Sequence, residues 1–235
     1  MTDILHEECG VVGVYNAENA SQLAYLGLHA LQHRGQEGAG IAAADGSSVR
    51  CRKGFGLLAE ALSAADLSEL SGRNAIGHVR YATAGGREME NVQPLLARAQ
   101  IGTIAAAHNG QIVNANVLRG ELEQQGSIFH CTSDSEIILH LIQRGSGSLL
   151  DKIAHACRRM DGAFSFVLIT EKNLYAVRDK NGLRPLCLGK LPDGGVCAAS
   201  ESCALDAMGA ELVRDVRPGE IVKCSAAGLE SVFYT

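Results

Sequence analysis

The way periodicity is distributed along this chain constrains its fold most: helix-period segments are gathered between two strand-rich stretches. Short β-branched or Ala/Gly-rich runs at 9–15, 38–44, 49–53, 75–80 and 103–107 read as strands. An amphipathic helix over 21–32 and a helical stretch over 57–70 are interleaved with them. Helices are predicted at 115–125, after Ser133-Asp-Ser-Glu136, and at 148–160. Strands then follow near 163–170, 173–178, 186–190, 195–199, 211–216 and 219–224. Ser133–Glu136 has the form of an N-terminal capping box, with Ile137, Ile138, Leu141 and Ile142 after it at helical spacing. This order predicts layered α+β packing rather than strict β-α-β alternation.

Composition narrows the class further. A chain of 235 residues with no Pro- or Ser-rich linker is expected to form one domain with a self-sufficient core. Aromatics are few and Trp is absent, so Ala, Gly, Val and Leu must fill the interior. The net charge of −5 is spread without a basic block, which argues against nucleic acid and against an anionic membrane surface. Eight cysteines show neither C-x-x-C nor zinc-finger spacing, and no apolar run reaches the length of a membrane span. A reduced, cytoplasmic protein is the expectation.

Cys9 is the first residue with chemical promise. Eight mostly polar residues precede it, and Gly10-Val-Val-Gly-Val-Tyr15 after it reads as a buried strand. If the Glu8–Cys9 bond is cut, Cys9 carries both a thiol and an α-amine, which combines nucleophile and general base in one residue. The plainer reading is a small buried core residue.

Other candidates are likewise double-edged. Asn109-Gly110 is the strongest short-range signal for a type I′ hairpin turn, yet an Asn amide and a Gly N–H can also converge on a developing oxyanion. Arg80 ends a predicted strand, either solvated or as a fork for a substrate carboxylate, and Gly85 and Gly86 would let the next loop close over a ligand. Asp134, in the first turn of the capped helix, suits the helix dipole or an ammonium group. Gly35, Gly38 and Gly40 crowd around Arg34 and suggest close backbone approach rather than a phosphate loop. His33, His78 and His108 read as structural hydrogen-bonding residues.

Six motifs occur in order: Glu-Glu-Cys9-Gly-Val-Val-Gly, Gln32-His-Arg-Gly-Gln36, Gly77-His-Val-Arg-Tyr-Ala-Thr-Ala-Gly85, His108-Asn-Gly110, Ser133-Asp-Ser-Glu136 and Asn181-Gly-Leu-Arg-Pro185. Together they resemble the glutaminase half of the amidophosphoribosyltransferase family, over essentially the whole chain from Cys9 onward. The resemblance implies an N-terminal-nucleophile (Ntn) hydrolase fold, a four-layer αββα sandwich. It also implies a propeptide over residues 1–8 and a class II glutamine amidotransferase domain over 9–235. By the same resemblance Cys9 is the nucleophile, and Asn109 with the Gly110 N–H forms the oxyanion hole. Arg80 holds the glutamine α-carboxylate, Asp134 holds the α-ammonium, Thr83 lines the site, and Arg34 and His78 support it.

The resemblance further implies a phosphoribosyltransferase domain, which residues 163–235 do not resemble, and a homo-oligomer at full length. Magnesium and an iron–sulfur cluster are expected only with that other half, so no metal or cofactor is expected within this chain. Three alternatives stand beside this reading. One is the glutaminase half of a hexosamine-forming synthase or asparagine synthetase. Another is a silent module that binds glutamine or a partner without hydrolysis, and the third is a papain-like hydrolase, for which no local signature is present.

Overall fold

The computed structural model describes residues 9–81, 88–100 and 102–235. In chain order its elements are β1 (Gly10–Tyr15), α1 (Ala20–Ala30), β2 (Gly38–Ala44), β3 (Val49–Phe55), α2 (Leu58–Ala61), α3 (Ala64–Glu69), β4 (Asn74–Arg80), β5 (Leu95–Ala99) and β6 (Gly102–Ile112). They continue with α4 (Ala115–Gln124), α5 (Ile137–Arg144), α6 (Leu149–Arg159), β7 (Gly162–Ile169), β8 (Leu174–Arg178), β9 (Cys187–Lys190), β10 (Val196–Ala199), α7 (Ser202–Ala207), β11 (Glu211–Asp215), β12 (Glu220–Ser225) and β13 (Gly228–Phe233). The strands form two antiparallel sheets, ordered β11-β9-β10-β1-β4-β2-β3 and β13-β12-β8-β7-β6-β5.

Period-two alternation sorts the side chains into layers. Val11, Ala42 and Ile76 of the first sheet face Ala105, Ala107, Val167 and Ala176 of the second. Small side chains dominate this seam, as the aromatic-poor composition requires. The opposite face of the first sheet, with Val12, Val14, Ile41 and Val79, packs on Ala24 and Leu28 of α1 and Leu205 of α7. The outer face of the second, with Ala106, Phe164, Phe166 and Leu168, packs on Ile138 and Leu141 of α5 and Ile153 of α6. The result is helix, sheet, sheet, helix, the αββα sandwich of the Ntn hydrolases.

Several expectations need correction. Strand β6 runs straight through Asn109-Gly110, in register with β7 from Ala105↔Ile169 to Ile112↔Gly162, so the pair is not a hairpin turn. The stretch 57–70 is two short helices, because Ser63 restarts the backbone as a reciprocal cap with Asp66. Ser133 caps a 3-10 turn (Asp134–Glu136) ahead of α5 by accepting from the Ser135 N–H. Glu136 does not reach back to it, because its carboxylate accepts from the His130 and Cys131 N–H groups. The strands β5 and β13 and the helix α7 were not anticipated. Among the described residues no helix is long and apolar enough to cross a membrane.

Candidate active site

Cys9 stands at the mouth of β1, beside the end of β4. Its φ of 59° is left-handed, uncommon for a residue with a Cβ. Arg34 fixes that geometry from two sides. The Cys9 N–H donates to the Arg34 carbonyl at 3.0 Å, and Arg34 Nε donates to the Cys9 carbonyl at 2.6 Å. Arg34 is 1% exposed. The turn carrying it lies directly on β4, because a Cβ on Gly35 would come within 2.6 Å of the Val79 and Arg80 carbonyl carbons. The close approach expected of the Gly35–Gly40 cluster is therefore present, also at Gly40, whose Cβ would lie 2.4 Å from the Gln93 carbonyl.

The thiol itself meets backbone. The Tyr81 N–H donates to Cys9 Sγ at 3.4 Å, and the thiol donates to the Tyr81 carbonyl at 3.5 Å. The thiols of Cys187, Cys197 and Cys224 lie in the core, and burial pushes each up to about 12. Burial pushes Cys51 up to about 11. These are inert packing groups. Cys9 is set apart by its left-handed backbone, the Arg34 guanidinium on its carbonyl and the Tyr81 N–H on its sulfur.

Arg80 is buried rather than solvated, and alternation along β4 puts its side chain on the inter-sheet face with Ile76 and His78. His78 Nε2 donates across the seam to the His108 carbonyl at 3.0 Å. Burial drives its pKa down to about 3, so the ring is neutral and ties β4 to β6. A ring held neutral in this way does no proton transfer near neutrality.

Asn109 follows on β6. It alternates with Ala105 and Ala107, so its carboxamide enters the same seam from the opposite sheet. It is 0% exposed, yet neither Oδ1 nor Nδ2 has a hydrogen-bond partner among the described residues. Fully buried amides without partners are rare and call for a reason. Gly110 has φ 135°, and a Cβ there would lie 2.0 Å from the Ala163 carbonyl oxygen, so only glycine fits.

The edge of β6 explains the rest. Strand β5 pairs only as far as Leu95↔Ala106, and among the described residues no strand pairs with that edge of β6 beyond this point. Gln93 Oε1 accepts the His108 N–H at 2.8 Å and Asp134 Oδ2 accepts the Ile112 N–H at 2.8 Å, so side chains continue the missing ladder. By the alternation of an antiparallel pair, the Gly110 N–H is directed to that same edge, between these two caps. Asp134 also lies 3.8 Å from His108 Nδ1, and it lines a small cleft of about 220 Å³ with Gln111, Asn116, Arg119 and Thr132. A larger cleft of about 920 Å³, between β3, β5 and α5, holds none of these groups.

Thr83, Gly85, Gly86 and the segment 1–8 lie outside the described residues. The structure adds residues that sequence reasoning did not single out. Glu201 binds Arg34, with its Oε1 2.5 Å from Nη1. Tyr81 faces the thiol, and Gln93 with Ser135 anchors His108. Among the described residues no three His, Cys, Asp or Glu side chains are grouped to hold a metal ion.

The model for the glutamine amidotransferase domain matches residues 78–207. This chain belongs to the glutamine amidotransferase family. Within that family it is 50% identical over 229 residues to the amidophosphoribosyltransferase of Bacillus subtilis (strain 168), covering 97% of this chain and 48% of that one. It is 46% identical over 233 residues to that of Staphylococcus aureus (strain MRSA252), covering 98% and 47%. The solved glutamine phosphoribosylpyrophosphate amidotransferase of B. subtilis, complexed with ADP and GMP, superposes with a TM-score of 0.92 at 47% identity, over 97% of this chain and 49% of that one. This amidotransferase chain therefore spans about half the length of the curated relatives it matches.

Proposed function

We propose that this chain hydrolyses the side-chain amide of glutamine to glutamate and ammonia, with Cys9 as an N-terminal nucleophile exposed by removal of residues 1–8. The observation that carries this is the buried, unpartnered carboxamide of Asn109 beside the open Gly110 edge. Two donors fixed on one strand, a carboxamide and the next backbone N–H, are what a tetrahedral oxyanion requires. The left-handed φ at Cys9 supports the cleavage, because cutting the preceding peptide bond removes that constraint.

In this reading Arg80 takes the substrate α-carboxylate. Asp134 takes the α-ammonium with acceptor capacity left over from the Ile112 N–H. The Cys9 α-amine, with an ordinary pKa of about 7.7–8.0, accepts the proton of a thiol whose ordinary value is about 8.5. The thiolate attacks the amide carbon, and Asn109 Nδ2 with the Gly110 N–H stabilises the oxyanion. Collapse expels ammonia with the proton returned by the amine, leaving a Cys9 thioester. Water then attacks the thioester, releasing glutamate and restoring the thiol.

The likeness to amidophosphoribosyltransferases supports a phosphoribosyltransferase half as the recipient of the ammonia, making phosphoribosylamine for purine biosynthesis, and a homo-oligomer at full length. Glutamate release is the test. Asn109→Ala is expected to lower turnover by about 10²–10³-fold, and near-wild-type turnover in that variant would remove Asn109 from the mechanism. Glutamine binding by the processed wild-type chain without glutamate release would identify a silent module instead.

A further inference from the structure

Arg34 places a buried guanidinium against the Cys9 carbonyl, whose carbon is bonded to the Cα that carries both the amine and the thiol side chain of the proposed mechanism. A bare cation there would lower the basicity of the amine and favour the thiolate. Glu201 meets that charge. It stands at the start of α7, where Ser200 before it is locked to β1: the Ser200 N–H donates to the Val11 carbonyl and the Val11 N–H donates to Ser200 Oγ, both at 3.0 Å. Its carboxylate binds Arg34 Nη1 and lies 3.2 Å from His33 Nε2. Cys203, in the first turn of α7, donates its thiol to Oε2 at 3.6 Å. Among the described residues the Tyr81 backbone also meets the Cys9 thiol, its N–H at 3.4 Å and its carbonyl at 3.5 Å, and Arg80 precedes it at the end of β4.

We propose that Glu201 is a positioning residue: by neutralising and orienting Arg34 it sets the acid–base balance of Cys9. The inference rests on the glutaminase reading for its functional consequence, but not for its electrostatics. Burial raises the Glu201 carboxyl, and hydrogen bonds from Arg34 and His33 outweigh that and hold it below the usual carboxylate range. The carboxylate is therefore charged wherever the enzyme works.

The test is the pH dependence of iodoacetamide alkylation at Cys9, mapped to its own peptide so that Cys203 does not contribute. It compares wild type with Glu201→Gln and Glu201→Asp. Gln keeps an acceptor for Nη1 but removes the charge, so the Cys9 midpoint is expected to move down by about half to one pH unit. The acid limb of kcat/KM for glutamate release should follow. Asp retains the charge one methylene further away and should give a smaller shift of the same sign. An unshifted or raised midpoint in Glu201→Gln would overturn the proposal. If that variant does not fold, an unshifted Glu201→Asp does so. Absence of glutamate release by the wild type would sink the glutaminase reading alone, because the alkylation midpoints still decide the role of Glu201.

Discussion

At the scale of single residues, the site is assembled from groups whose local signals were ambiguous. Asn-Gly is the commonest hairpin pair, and nothing within a few residues of Gly110 reveals that β7 continues alongside. The strand partner decides, because the Ala163 carbonyl occupies the place a Cβ would need. Gly110→Ala is therefore expected to destabilise the fold by at least about 1–3 kcal/mol. It should also lose glutaminase activity, read as a lower urea midpoint and absent glutamate release; a stable, active variant would show that β6 does not need glycine there. Cys9 and Arg34 were legible because their motifs are local. Glu201 was not, since its partner lies 167 residues away and only the adjacency of β1 and β10 joins them.

At the scale of elements, strand alternation was the most readable property. The runs that became β1, β2, β7 and β8 are largely apolar, as strands buried on both faces must be, whereas β4 is equally buried but carries Asn74, His78 and Arg80. The two edge strands of the second sheet hid: β5 is five residues long with exposed alternate positions, and β13 is largely solvent-facing. Yet the early end of β5 creates the open edge that Gln93 and Asp134 flank. The His78 link between β4 and β6 adds a pH dependence. Burial lowers the pKa of His78 to about 3, and burial also lowers that of His108, although Asp134 opposes it. An unfolded chain takes up these protons below about pH 6.5 while the folded one does not. Stability should therefore fall as pH drops below that value, by up to about 1.4 kcal/mol per unit for each ring. Between about pH 6.5 and 5, above the ordinary carboxylate range, His78→Gln should show a smaller slope in urea midpoint than wild type. An unchanged slope would mean that the native ring is not held neutral.

At the scale of the molecule, two sheets of small residues meet closely enough for one seam to receive side chains from both. Arg80 and His78 enter from the first sheet and Asn109 from the second, and Cys9 closes the end of the seam through Tyr81. Layered α+β packing was predictable from the order of elements, but which strands would face one another depended on register. The proposed nucleophile is a cysteine that begins the processed chain. The intact mass of a preparation that hydrolyses glutamine is the decisive measurement. A mass starting at Cys9, with Met1–Glu8 removed, is expected. A full-length mass in an actively hydrolysing sample would contradict it, because the amine assigned as general base would still be tied up in a peptide bond.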